Sequence, residues 1–542
     1  MKQSDFTVSG RIIDILTNEI YPGVVHISNG KINNIERKEV PGQHYILPGF
    51  TDAHVHIESS MLVPTEFARL AVVHGTVATV SDPHEIGNVL GVNGVKYMIE
   101  NGKKVPFRFY FGAPSCVPAT VFETAGATIT AADIEQLLLL PDIKYLAEMM
   151  NWPGVLNRDA EVMEKLTIAQ KLNKPVDGHA PGLTGQQAKQ YAAAGISTDH
   201  ECFTADEAKD KLACGMHILI REGSAAKNFG ALIDLIEDHA DRIMFCSDDK
   251  HPDNLVEGHI NVLVKRALAK GHDLMKVLRA ACVNPVLHYK LENGLLRPGD
   301  AADFIVVDNL ENFEIKQTYI QGQLVAENGK SLLYPPAEKA INYFESYEVT
   351  EADLQIKGKE NAQTAVIEAL DGQLITNRIN LRLPVINGFI QADPENDVLK
   401  IVVVNRYKKA PPAVAFIKNF GLKKGALASS VAHDSHNIIA VGVTDTDLER
   451  AINRVIEAKG GVAAVTETEQ ELVPLPVAGL MSTANGYEVA EAYSRADALS
   501  KKMGSTLSSP FMTLSFMALL VIPALKLSDK GLFNGEKFQF VE

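Results

Sequence analysis

Nothing in the chain pairs its cysteines. Cys116, Cys202, Cys214, Cys246 and Cys282 form no CxxC motif and are odd in number, which argues against a disulfide framework or a structural zinc site and predicts reduced, buried thiols. Positive charge is short too. Lys and Arg total 52 against 67 Asp and Glu, for a net charge of -15, so the surface repels polyphosphate and nucleic acid is set aside as a partner. The N-terminal MKQSDFTVSG has no apolar stretch behind a basic start, and without a signal or transit peptide the expected address is the cytoplasm. Long apolar runs are also missing. The one membrane-like stretch, Phe511 to Leu527, is broken by Pro523 and carries Thr513 and Ser515, so it predicts a buried C-terminal segment and no membrane span. No GxGxxG loop follows any strand-like run, which leaves a dinucleotide fold without support. Neither an internal repeat nor a low-complexity tract is present.

What is there is a long chain with a large apolar share. At 542 residues and 46% hydrophobic content, it exceeds the ~250–300 residues that one core can serve and predicts two or three domains. The first fifty residues read as short strands, RIIDIL, then GVVHIS and KINNIER joined across Asn29-Gly30, a hairpin signal. A similar β-rich pattern returns near Gly294. The two pieces, residues 1–49 and 295–340, are expected to complete one small composite β-sandwich. Residues 50–294 carry a different rhythm, in which apolar runs of strand length alternate with helical stretches. Eight runs are found, YILPGFTDAHVH, TVATVSD, FRFYFGAP, IKYLAEMM, PVDGHA, ISTDHECF, MHILIREGS and RIMFCSDD, and eight βα units predict a closed (β/α)₈ barrel. Residues 341–542 predict a further α/β domain, with a strand in LKIVVVNRY and a helix from Asp445 to Lys459 stopped at Gly460.

Chemistry in such barrels sits at the C-terminal ends of the strands. The first run ends in His54 and His56, which an extended chain points to one side. The fourth ends at Glu148, the fifth and sixth at His179 and His200, and the eighth at Asp248 with Asp249 behind it. Six nitrogen and oxygen ligands at one mouth suffice for two divalent ions with a bridging carboxylate, and the mixture suits Mn, Fe or Zn alike. By contrast His74, His217, His272 and His288 fall at strand starts or on helices, where structural roles are expected.

PGFTDAHVH, DGHAPG and SDD resemble the amidohydrolase superfamily. HVHIESSM, SDPHEIGNV, AEMMNWPGV, DGHAPGL, STDHECFT and SDDKHPDNL resemble, within it, the adenine deaminase family over essentially the whole chain, as does PALKLSDKGLFN near the end. Many superfamily members bridge their metals with a carboxylated lysine after strand four. Here Lys144 stands at the beginning of that strand, roughly 13 Å below the mouth at ~3.3 Å per residue, so Glu148 is the expected bridge and Lys144 a salt-bridge residue on the bottom face.

The resemblance implies hydrolytic deamination of a purine base, adenine to hypoxanthine and ammonia, in purine salvage. Asp248 is then the expected proton carrier between water and the departing ammonia. The ring nitrogen needs a proton donor, for which Glu85 in SDPHEIGN is the first candidate and Glu58 the second. Ser81, Asp82, Arg221 and Ser224 are candidate contacts to the base. The other readings are a cyclic amide or N-acyl hydrolase on the same barrel, and a non-catalytic metal-binding barrel, which should have lost ligands. The HxE at His56–Glu58 lacks the PCxxC of zinc deaminases acting on nucleic acids. A homodimer is expected from the apolar C-terminal segments, and His433, Asp434 and His436 in AHDSHN are expected to line a turn, with the binding of another ion as the alternative.

Overall fold

The computed structural model describes residues 5–541 apart from residue 346. The two β-rich pieces share one continuous eight-stranded sheet. It is closed where Tyr45–Pro48 pairs antiparallel with Phe304–Val307, which brings the chain back after the whole barrel. The hairpin joining Glu19–Ser28 to Lys31–Arg37 turns at Asn29 (φ 51°) and Gly30 (φ 75°), the two left-handed residues that a type I′ turn requires.

Eight parallel strands build the barrel: Phe50–Val55, Thr76–Ser81, Arg108–Ala113, Ile143–Met149, Val176–Gly178, Thr198–Asp199, His217–Arg221 and Ile243–Cys246. Ladders join the first five and the last three. Ser197 N bonds Val176 O between the fifth and sixth, and a parallel bridge from Val55 to Asp248 closes the ring. The second and eighth strands are buried at every position, as strands covered on both faces must be. The first apolar run divides at Gly49: Tyr45–Pro48 belongs to the outer sheet, and only Phe50–Val55 enters the barrel.

The C-terminal part is a second eight-stranded sheet with helices Asp445–Glu457 and Gly486–Lys502. Its strand Val398–Val404 is buried throughout because alternate residues serve two cores. Val402 and Val404 pack with Leu448, Ile452 and Val455 of the first helix, while Leu399, Ile401 and Val403 join the core shared with the barrel. That helix starts at Thr444, whose side chain accepts from Asp447 N, and ends at Glu457. It stops short of Lys459, which is already left-handed.

The apolar stretch from Phe511 is packed inside the chain, with all of helix Pro510–Phe516 buried. Among the described residues no helix is long and apolar enough to cross a membrane. Most of the stretch is covered by its own chain.

Candidate metal centre and active site

The six candidate ligands at the strand ends converge on one buried cluster. His54 Nε2 and His56 Nε2 approach within 3.2 Å, and Asp248 Oδ1 lies 3.3 Å from His56 Nε2. Glu148 Oε2 lies 3.0 Å from both His179 Nδ1 and His200 Nε2, while its Oε1 lies 3.7 Å from His56 Nε2. One carboxylate therefore stands between two groups of ligands. His179 Nε2 is buried without a hydrogen-bond partner, and His54 turns Nε2 to the cluster with Nδ1 3.9 Å from Asp177 Oδ2. Imidazoles facing imidazoles and carboxylates, with lone pairs left over, form a donor set that fits divalent cations. Burial alone would raise the Glu148 carboxyl, yet the charges and hydrogen bonds of His179 and His200 hold it well below the usual range.

Surrounding groups orient this cluster. His56 Nδ1 faces Asp82 O at 3.2 Å, an arrangement that leaves Nε2 free as a ligand atom. Asp52 accepts from His54 N and Ser247 N, and its other oxygen lies 2.8 Å from His259 Nε2, so the first and eighth strands are locked in register below the site. Asp248 takes a left-handed backbone, φ 53°, which Asp tolerates better than most residues. Its Oδ2 is paired with Arg221, and Arg221 also grips Glu201.

The C-terminal domain closes the mouth. His436 Nε2 hydrogen-bonds Glu85 Oε2, and His433 Nε2 lies 3.0 Å from Glu85 Oε1 and 3.4 Å from Asp249. Asp434 lies 3.9 Å from His84 Nε2. Leu374, Phe516 and Leu519 form an apolar wall opposite the ligands. The cleft is narrow, with about 20 Å³ of space free to a water-sized sphere.

Residues 45–325 match the amidohydrolase family and residues 373–539 the adenine deaminase C-terminal domain. The chain is 54% identical to an adenine deaminase of Salinibacter ruber, covering 99% of both chains. Adenine deaminases of Sulfurovum sp. and Methanosarcina mazei are 55% and 51% identical, each covering 98% of both chains. The chain belongs to the adenine deaminase family. As an amidohydrolase it is metal-dependent, with the clustered side chains to match.

The other residues expected of an adenine deaminase site are placed as follows. Arg221 lines the cleft but spends its guanidinium on Glu201 and Asp248. Asp82 sits beneath the mouth, accepting from His84 N and Glu148 N. The Ser81 hydroxyl is bonded to Thr79, and that of Ser224 to Asn254 and His251 N. Both hydroxyls are engaged by neighbouring protein groups. Glu58 accepts from Ile86 N at the start of helix His84–Leu90. Burial, with the nearby charge of Glu85, pushes its carboxyl up to about 7. Lys144 pairs with Glu292 at 2.9 Å, far from the ligands. His84 and Glu201 also stand at the cleft with no expectation from the sequence, and Asp249, His433, Asp434 and His436, named there only as a strand-end neighbour and a short motif, join them. Glu201 and Asp249 directly follow His200 and Asp248, which is a local signal for both. AHDSHN stands out as a motif, but no local pattern aims it at a barrel loop.

Proposed function

We propose that the protein hydrolyses free adenine to hypoxanthine and ammonia, as a purine-salvage step, using two divalent ions (Mn, Fe or Zn) held by His54, His56, Glu148, His179, His200 and Asp248. The observation that carries the binuclear reading is the Glu148 carboxylate, with one oxygen toward His179 and His200 and the other toward His56. Its support for adenine is the full-length likeness to adenine deaminases. The three-part division of the chain, residues 1–49 with 295–340, 50–294 and 341–542, belongs to this reading and is supported by the sheet closed between Tyr45–Pro48 and Phe304–Val307.

Divalent ions, when bound, supply water activation, bringing a water pKa from 15.7 toward ~7. The residues do the rest. Asp248 is ionised: burial works against its charge, but Arg221 and His56 hold the carboxyl well below its usual range. It accepts the proton of the attacking water and hands it to the amine as the C6–N bond breaks. The ring nitrogen beside C6 takes its proton from the cluster of Glu85 with His433 and His84. Burial opposes the charge on Glu85, while His433, His84 and His436 hold the carboxyl well below its usual range. Glu85 therefore acts with imidazolium neighbours that carry the proton. Glu58 anchors the helix that presents Glu85.

The test is loss of adenine absorbance with stoichiometric ammonia release by metal-loaded protein. Efficient consumption of adenosine or a cyclic amide with adenine untouched would overturn the substrate while leaving the metal centre standing.

A further inference from the structure

Asp434 has one carboxylate oxygen, Oδ1, 3.9 Å from the His84 imidazole, and its other oxygen points at no partner. It is 3% exposed, its Oδ2 has no hydrogen-bond partner, and it lines the same cleft as the metal ligands. A buried, unpartnered carboxylate oxygen costs free energy unless something donates to it. Its distance from the chemistry is set by one side chain. The His84 ring faces Glu148 Oε1 at 3.6 Å through Nδ1 and Asp434 Oδ1 at 3.9 Å through Nε2. Asp434 and Glu148 thus stand on opposite sides of the His84 ring and line the same cleft, so a bicyclic base with its six-membered ring at the metals turns its imidazole ring toward the Asp434 side. The loop is held there from outside: Tyr407 OH donates to Ser435 O at 2.6 Å, and Asn437 Nδ2 to Thr124 O at 2.9 Å.

Resting on the adenine reading above, we infer that Asp434 of the C-terminal domain is the specificity-determining contact, its Oδ2 accepting the imidazole-ring N–H of the free base. A neutral base substituted at N9 has no such N–H. It would leave the carboxylate buried and unpaired, which is how a site built around one hydrogen bond rejects an analogue lacking it. Discrimination between free base and nucleoside then comes from the C-terminal domain and not from the barrel.

The experiment compares wild-type holoenzyme with Asp434→Ala and Asp434→Asn. It reads kcat and KM for adenine, competitive inhibition by hypoxanthine and 9-methylhypoxanthine, and metal content. The six-membered ring is common to both inhibitors, so their ratio isolates the imidazole N–H. The wild type should bind hypoxanthine on the order of 10²-fold more tightly than its 9-methyl form. Asp434→Ala should raise the Ki of hypoxanthine and the KM of adenine by about that factor, with the 9-methyl Ki moving less than about 3-fold. Asp434→Asn keeps the side-chain volume while removing the charge and adding an N–H that can donate to the unprotonated ring nitrogen of the 9-methyl form, so a ratio that narrows there too separates hydrogen bonding from added space, and it carries the test if the alanine variant does not fold. Equal shifts for both inhibitors, an unmoved ratio, or loss of a metal equivalent would overturn the inference. If the wild type deaminates adenine and the ratio does not move, only the role of Asp434 fails. If adenine is not a substrate at all, the functional reading fails and this one falls with it.

Discussion

Glu85 and His436 share a hydrogen bond across 351 positions of sequence, tying the loop after the second barrel strand to a loop of the C-terminal domain. His436 reaches it from a left-handed backbone, φ 53°, and its own imidazole is pushed down by burial against the pull of Glu85. The carboxylate expected to serve the ring nitrogen is thus held by a different domain from the one that displays it.

That relationship predicts the behaviour of His436→Asn, which suits the left-handed backbone but is too short to reach Glu85. The kcat for adenine should fall about 10–100-fold, the usual effect of losing a partner that orients a functional side chain, with metal content unchanged. Glu85→Gln should cost at least as much, and adding His436→Asn to it should cost little more, because the two act as a unit. Additive losses would show that His436 acts elsewhere.

His54→Ala or His179→Ala should lower bound metal and abolish turnover while the far-ultraviolet circular dichroism stays that of the wild type. Elemental analysis returning full occupancy in both variants would remove them from the ligand set.

Glu148→Gln keeps the shape and removes the charge that faces both groups of imidazoles, so metal occupancy should drop sharply. Lys144→Ala should spare metal and activity, and its partly exposed pair with Glu292 limits the stability change to about 1 kcal/mol or less. Activity lost with Lys144 and kept without Glu148 would reverse the assignment of the bridge.

Lys526 predicts a pH dependence of stability. It is fully buried, donates to Leu374 O and Phe516 O at 2.6 and 2.9 Å, and burial brings its ammonium down from 10.5 to about 7. Between those values the unfolded chain binds the proton and the folded chain does not, so stability rises with pH across that window and is level below about 7. Against Lys526→Met, the wild type should gain thermal stability steadily from pH 7 to 10. Parallel melting curves for the two proteins over that range would refute the neutral buried lysine. Both acceptor carbonyls belong to residues of the apolar cleft wall, so the same variant should also raise the KM for adenine.

Much of the barrel was legible because its physics is local. A strand covered on both faces must be apolar throughout, as Thr76–Ser81 and Ile243–Cys246 are, and a polar residue ending such a run must emerge at the mouth. His54, His56, Glu148, His179, His200 and Asp248 could be named on that ground alone. Gly49 shows the limit. The run YILPGFTDAHVH is continuous in hydropathy, yet the chain passes from one sheet to another inside it, a choice set by which neighbours each half pairs with.

The sequence by itself determined the barrel and which polar side chains gather at its mouth, because periodicity and strand ends are properties of a few consecutive residues. Only the tertiary structure decided what lies over that mouth. His433, Asp434 and His436 are a short polar turn in the sequence, and Phe516 and Leu519 are part of an apolar stretch. They become the wall of the cleft because Leu399, Ile401 and Val403 of the C-terminal sheet share one core with the barrel. Burying that face against the barrel carries the loop after Ser429 onto Glu85 and Asp249, a contact between distant segments that no local pattern encodes.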